Sequence, residues 1–297
     1  ADLTLKTASN RQAANSFPHK NLQDMNEETK QKLDAILLNG YDFKFGDYIS
    51  RGFELLQKNL GGFILFTLVF FVLSSIAQTM GSFNQTVSLI AAGAASLFLT
   101  PPLQVGFYLV ANQLHRGQPT EFGGFFKGFD FIGQLALMTL VKSLIILASL
   151  IPFVLAVWNT SDLVQWYIGF LQNPAILAEG GIEPPTFPPA WTFLLTLPAI
   201  YLSVAYTFAP LFVVFYRMEF WDALEYSRKL ITQKWFLVFG FLIVTGLIAG
   251  AGIILLCIGI LATFPAYLCM MYAAFEDITQ LNREPAAGDD IEKHLIV

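Results

Sequence analysis

The sequence predicts an all-α, polytopic membrane protein with six transmembrane helices as three hairpins, each preceded by a cytoplasmic interfacial helix. Three observations carry this reading. Hydrophobic residues fill 55% of the 297 positions and charged residues only 13%, about half the ~25% usual in soluble domains. The few charges fall between apolar runs long enough to cross a ~30 Å hydrocarbon core. In three of these runs a proline is followed six or seven residues later by tyrosine: Pro102 and Tyr108, Pro210 and Tyr216, Pro265 and Tyr272. One device thus recurs in the second helix of three repeated units.

Residues 1–34 form a polar N-terminal arm. The first 24 residues lack an apolar stretch beside a small-residue cleavage site, so the first span is expected to act as its own targeting element. Met25, ahead of the helix-like stretch 26–38, is a candidate natural start, with residues 1–24 an added extension or a disordered arm. The membrane domain covers 35–277. It opens with residues 45–60 (FGDYISRGFELLQKNL), where Phe45, Ile49, Phe53, Leu56 and Leu60 share one helical face and Asp47, Arg51, Glu54 and Lys58 lie elsewhere. That pattern marks an amphipathic helix in the membrane surface. Spans 61–80 and 87–113 make the first hairpin.

The second unit starts at 122–132 (FGGFFKGFDFI), a weaker, Gly-rich version of the interfacial helix, and continues with spans 133–157 and 191–216. Between them, 159–190 carries only Asp162, Glu179 and Glu183 as charges. Its first part, NTSDLVQWYIGFL, reads as a capped amphipathic helix offering Trp166, Tyr167 and Phe170 to headgroups, and Pro184, Pro185, Pro188 and Pro189 make a stiff return. The third unit opens with 220–235 (FWDALEYSRKLITQKW), which aligns without a gap on 45–60, pairing Phe45 with Phe220, Asp47 with Asp222 and Leu56 with Ile231. Residues 235–276 would make one helix about 63 Å long at 1.5 Å per residue, so they must fold back near 257–259 into two spans. Residues 278–297 are a polar C-terminal tail.

The 17 basic residues set the orientation, because cytoplasmic loops carry the excess of Lys and Arg. Eight precede the first span; the others outside the spans follow the second, fourth and sixth, and the opposite loops have none. Both termini are therefore expected in the cytoplasm and 159–190 outside.

Proline inside a helix removes a backbone hydrogen bond and kinks it. Thr100, Thr207 and Thr263 stand close enough to satisfy the freed carbonyls. Pro102, Pro210 and Pro265 then read either as hinges lining a cavity or as static kinks that taper the bundle, with Tyr108, Tyr216 and Tyr272 as interfacial anchors. Small residues (Ser88, Ala91, Ala92, Ala95 and Ser96; Gly246 with Gly250) mark close helix packing within the bundle or a dimer seam. All 22 acidic residues lie outside the spans or at their edges, which argues against ion-coupled transport through an intramembrane carboxylate. Lys142 is the one charge deep in a span. Either it snorkels to the headgroups, or with Gln104 and Gln134 it forms an intramembrane polar site for an anion or phosphate.

His19, His115 and His294 are scattered without partners at ligand spacing, so no metal site is expected. Nucleophile elbow, P-loop and dinucleotide fingerprints are absent, and no catalytic or cofactor-binding residue is assigned. Cys257 and Cys269 read as packing residues. The sequons at 84–86 and 159–161 are too short to carry weight.

DYISRGFELLQKN before the first span, FWDALEYSRKLITQKW before the fifth and FPAYLCMMYAAFED at the end together resemble the six-helix bacterial membrane proteins of the glycerophosphodiester phosphodiesterase membrane-domain type, over residues 35–277. The resemblance implies a multi-pass protein of the bacterial inner membrane and transfers no catalytic residue. Some bacterial relatives carry a carotene-oxygenase label, but such oxygenases use four iron-binding histidines, and the three here are dispersed. The expected function is that of a non-enzymatic scaffold or accessory subunit whose partners are membrane lipids or a membrane-protein complex, with no nucleic acid. The alternatives are a small-molecule or lipid transporter built on the proline-bent helices, and a lipid-active membrane enzyme.

Overall fold

The computed structural model describes residues 22–79, 85–172, 185–254 and 259–282. Expectations for residues 1–21, Asn84, Glu179, Glu183, Pro184, Cys257 and the tail from 283 onward fall outside them. The chain divides into two compact units, 1–41 and 42–297. The first holds α1 (Leu22–Asn39), which takes in the helix-like stretch 26–38. All other elements belong to the second unit, and every regular element among the described residues is helical.

The second unit begins with α2 (Phe45–Lys58) and α3 (Leu60–Thr79), which meet at 92°. Asn59 makes this corner. Its side-chain oxygen accepts the Gly62 N–H at 3.2 Å, satisfying a backbone donor that the first turn of α3 leaves open. Next come α4 (Gln85–Ala94), a π turn (Ala95–Leu99) and α5 (Thr100–His115), followed by a 3-10 segment (Phe122–Phe131) and the long α6 (Ile132–Thr160). After α7 (Leu163–Gln172), a second 3-10 segment (Ala190–Thr196) leads into α8 (Leu197–Ala205) and α9 (Ala209–Phe215). The chain closes with α10 (Phe220–Thr232), α11 (Trp235–Ile254) and α12 (Ile260–Thr279). The stretch 235–276 thus divides into two helices that pack on each other.

Among the described residues, four helical stretches are long and apolar enough to cross a membrane: Ile90–His115, Phe122–Thr160, Ala190–Phe215 and Trp235–Ile253; the bent α2–α3 pair would make a fifth. These are fewer than the six expected spans, and α12 is not among them. From Ala266 to Phe275 only Tyr267 of that helix escapes full burial in the protein, and the helix then runs into Glu276 and Asp277. At the opposite extreme, α6 exposes Leu137, Leu140, Leu144, Leu147, Ile151, Val154 and Trp158. This apolar stripe, spaced three and four residues apart, is too long for a soluble surface.

The three prolines do two different things. Pro101 and Pro102 occupy the first turn of α5, and the preceding π turn carries the mismatch, with the Thr100 N–H bonded to the Ala95 carbonyl. Pro210 likewise sits in the first turn of α9, after a break at 206–208. In a first turn the missing N–H costs nothing, so these two prolines start helices instead of kinking them. Only Pro265 lies inside a continuous helix of its unit, α12; Pro152 does so in α6.

The threonine expectation also changes. Thr207 donates to the Ser203 carbonyl at 3.3 Å, one turn away, and Thr263 crosses to the Ala249 carbonyl of α11 at 2.8 Å. It is Ser227 of α10 that serves the break before Pro210. Its hydroxyl donates to the Ala205 carbonyl at 2.7 Å and accepts the Phe208 N–H at 3.2 Å.

Aromatic side chains fill the space between α3, α5, the first 3-10 segment and α12. Phe66 stacks on Phe125 with ring centroids 4.5 Å apart, and Phe63, Phe70, Phe107 and Phe264 complete the cluster. Between helices in lipid, close packing replaces the hydrophobic drive, and such ring contacts supply it. Backbone approach depends on glycines other than those expected. A Cβ on Gly246 or Gly250 would meet nothing within 4 Å, so these two face away from the bundle, against the packing reading. A Cβ on Gly106 would stand 1.9 Å from the Phe125 carbonyl oxygen, and one on Gly128 would stand 2.0 Å from that of Pro102. These two positions let the 3-10 segment lie directly on α5.

Candidate functional site

A polar cluster gathers where α12 ends. Glu276 is 4% exposed, and Arg51 of α2 donates to it at 2.5 Å. His115, from the last turn of α5, lies 3.5 Å from the other Glu276 oxygen and pairs with it when protonated. Asp277 accepts from Lys44 at 3.3 Å and from the Tyr48 hydroxyl at 3.0 Å, with Arg51 3.9 Å away. Burial works against the Arg51 charge, but the Glu276 hydrogen bond and the carboxylates of Glu276, Asp277 and Asp47 outweigh it and hold the guanidinium above its ordinary pKa.

Local structure explains why these groups meet. The α12 helix closes with Gln280 in the left-handed region (φ 51), the Gln280 N–H on the Asp277 carbonyl and the Leu281 N–H on the Glu276 carbonyl, a Schellman ending. This turn folds Asn282 back, so that its amide donates at 3.0 Å both to the Asn112 side-chain oxygen of α5 and to the Tyr272 hydroxyl. Tyr272 itself donates to Asn112 at 2.8 Å. On the α2 side the seat is Gly52, where a Cβ would fall 2.8 Å from the Met270 backbone. The buried face of α2 is Tyr48, Gly52, Leu55 and Leu56, rotated from the expected Phe45–Leu60 stripe, and it turns Phe53 outward. Rotation also places Arg51 against α12.

The other expected site residues separate. Gln104 is hydrogen-bonded to Tyr108 one turn along α5. Gln134, at the start of α6, accepts the Phe220 N–H at 3.0 Å, tying α6 to the beginning of α10. Lys142 stands half-buried on α6, eight residues beyond Gln134, without a hydrogen bond or ion pair to any described residue. Eight residues are about 12 Å of helix, so Gln134 and Lys142 do not converge. The repeated tyrosines are interior: Tyr108 and Tyr272 are buried, and Tyr216 donates to the Thr279 carbonyl at 3.1 Å. Tyr216 and Tyr272 join helices and Tyr108 is buried on its own helix, where headgroup anchoring was expected.

Three pairings link the proline-bearing helices to the short amphipathic segments. The first 3-10 segment lies on α5, α10 lies on α9, and α2 lies on α12. The first two join neighbours in sequence. The third joins positions 225 residues apart at Arg51 and Glu276. At α10, Glu225 pairs with Arg228 at 2.7 Å and Lys229 at 3.5 Å, and the Arg228 hydrogen bond is the main cause holding its carboxyl below the ordinary value. On the loop side, Asn159 and Thr160 end α6 instead of capping α7; the Asp162 carboxylate accepts the Thr186 N–H at 2.6 Å and pins the proline-rich return.

Sequence reasoning missed the Arg51, His115, Glu276 and Asp277 cluster, because its members come from three distant elements. One signal was present: Arg51 shares a helical face with Tyr48 and Leu55, at spacings of three and four. Among the described residues no group of three or more His, Cys, Asp or Glu could hold a metal ion, and Cys269 is a free, buried packing residue. A shallow groove of about 440 Å³ is lined by Gln113, Pro119, Glu121, Gly123, Gly124 and Lys127, where α5 hands over to the 3-10 segment. Comparison with protein-family models, with curated proteins and with solved structures finds no match for this chain.

Proposed function

We propose that this chain is a non-enzymatic multi-pass protein of the bacterial inner membrane, a scaffold or accessory subunit that engages lipids or a membrane-protein complex. On this reading six spans form three hairpins, both termini lie in the cytoplasm, and the family resemblance drawn from the sequence is a true one. The carrying observation is the closed set of three pairings. Each unit's proline-bearing helix is covered by the amphipathic segment of the next unit, and the last, α12, is covered by α2 of the first. Helix endings support the same repeat: Gly117, Arg217 and Gln280, three of the four described residues with positive φ, follow α5, α9 and α12, and the fourth, Gly40, follows α1.

A set closed in this way suits a rigid platform better than a carrier that must open. Its bends are plugged by Ser227 and by the Gly106–Gly128 contact, and the ionic cluster around Glu276 is spent joining α2 to α12. The break at 206–208 beside Pro210 is the observation that favours transport instead, as an opened backbone near a cavity. Purification of the full chain in mild detergent, with mass spectrometry of retained proteins and lipids, tests the scaffold reading. The expected result is a reproducible protein partner or lipid set, together with no solute flux in sealed proteoliposomes. Flux above protein-free vesicles, lost on stiffening the 206–208 break, would replace this reading with transport.

A further inference from the structure

The groove between α5 and the first 3-10 segment carries two charges of opposite sign, Glu121 and Lys127. Both are exposed and neither has an ion-pair partner among the described residues. They face one cavity yet do not pair with each other. In the same lining the Gln113 side-chain oxygen is buried without a hydrogen-bond donor among the described residues, under Gly124, where a Cβ would approach that oxygen to 3.4 Å. A buried acceptor without a donor is costly, and a ligand N–H relieves it. The volume, about 440 Å³, falls within the ~300–1,000 Å³ of small-ligand sites. Phe122, 40% exposed, stands next to Glu121, giving an apolar edge beside the charged groove.

From this arrangement we infer that the groove binds a zwitterion carrying a primary ammonium and a phosphodiester, the chemistry of an ethanolamine phospholipid headgroup. The ammonium is held by the Glu121 carboxylate and donates to the Gln113 oxygen, which the half-buried Gln113 side chain turns outward from beneath Gly124 to meet it, and the phosphodiester is held by Lys127. A choline group carries the same charge but no N–H for Gln113. A glycerol headgroup has no cation for Glu121. The acyl chains of a lipid would leave along Phe122. This inference deepens the lipid-engaging side of the scaffold reading and rests on it.

The full chain would be placed in nanodiscs containing equal parts ethanolamine, choline and glycerol phospholipids, and the lipids retained after detergent extraction counted by native mass spectrometry. Retention of the ethanolamine lipid at least about tenfold over each of the other two is expected. Glu121→Gln and Lys127→Gln should each cut it about tenfold, and Gln113→Leu should erase the preference over choline lipid alone. Glycerophosphoethanolamine in solution separates the sources: if it displaces the lipid at matched concentration, the site takes the free headgroup, and if it does not, the site takes the membrane lipid. Equal retention of the three lipids by the wild type, or unchanged preference in both charge variants, would overturn the inference. Those results leave the scaffold reading standing, whereas solute flux would sink that reading with the groove result unaffected.

Discussion

Replacing Arg51 with leucine removes the cation that joins α2 to α12 and leaves Glu276, 4% exposed, beside Asp277. Breaking a buried ion pair from one side costs about 3–5 kcal/mol. Two features reduce that figure here. The Arg51 side chain is 23% exposed, and Lys44 still faces Asp277 at 3.3 Å. A loss of about 2–3 kcal/mol is therefore expected once solvent screening is allowed for. Glu276→Gln should cost somewhat less, because Arg51 keeps Asp47 at 3.8 Å and Asp277 at 3.9 Å. The double variant should cost clearly less than the sum, with a coupling of about 1–2 kcal/mol, because its second substitution removes the charge that the first stranded. Reversible unfolding in mixed micelles by dodecyl sulfate titration, followed by tryptophan fluorescence, measures all four corners of the cycle. Singles within about 0.5 kcal/mol of wild type, or strict additivity of the pair, would refute the view that this contact closes the set.

Three further outcomes follow from the geometry. Gly106→Ala and Gly128→Ala each drive a Cβ into a backbone carbonyl and should destabilise by about 1–3 kcal/mol or more, whereas Gly246→Ala and Gly250→Ala should be neutral or stabilising by up to about 1 kcal/mol in the same titration; the opposite ranking would restore the packing role first assigned to Gly246 and Gly250. Ser227→Ala strips the Ala205 carbonyl and the Phe208 N–H of their partner and should cost about 1–3 kcal/mol, with faster amide exchange at 206–208; unaltered exchange there would disprove the plug. Glu225, held below its ordinary carboxyl value of 4.5 chiefly by the Arg228 hydrogen bond, contributes stability that is present above that value and lost as pH falls through the lower folded one. The deficit of Glu225→Gln, under about 1 kcal/mol for a surface pair, should thus vanish in acid, and a deficit unchanged at low pH would assign it to packing.

The amphipathic segments were legible because a local helix needs only its own residues. Both 45–60 and 220–235 show helical spacing of apolar side chains, and they fold as α2 and α10. Which face each presents was not legible. On α2 the seat is Gly52, which scores as nothing on a hydropathy pattern, and the neighbour it admits is the backbone at Met270. Lys142, Gln104 and Gln134 looked like a site because they are the polar exceptions in apolar runs. Depth along a span does not say which way a side chain points, and Gln104 and Gln134 are taken up by Tyr108 and Phe220.

Composition and the period of the apolar residues alone determined that the chain is helical and rich in stretches able to cross a membrane, since both properties follow from the solvent each side chain prefers. The prolines at 102, 210 and 265 share one spacing, each six or seven residues ahead of a tyrosine. Tertiary structure alone decided that two of them start helices, that α12 is wrapped by protein, and that Arg51 reaches Glu276. Those outcomes depend on close approach between backbones and on pairing between charges 225 residues apart. Neither leaves a trace in local periodicity, because the energy of each lies in a partner that the neighbouring sequence does not contain.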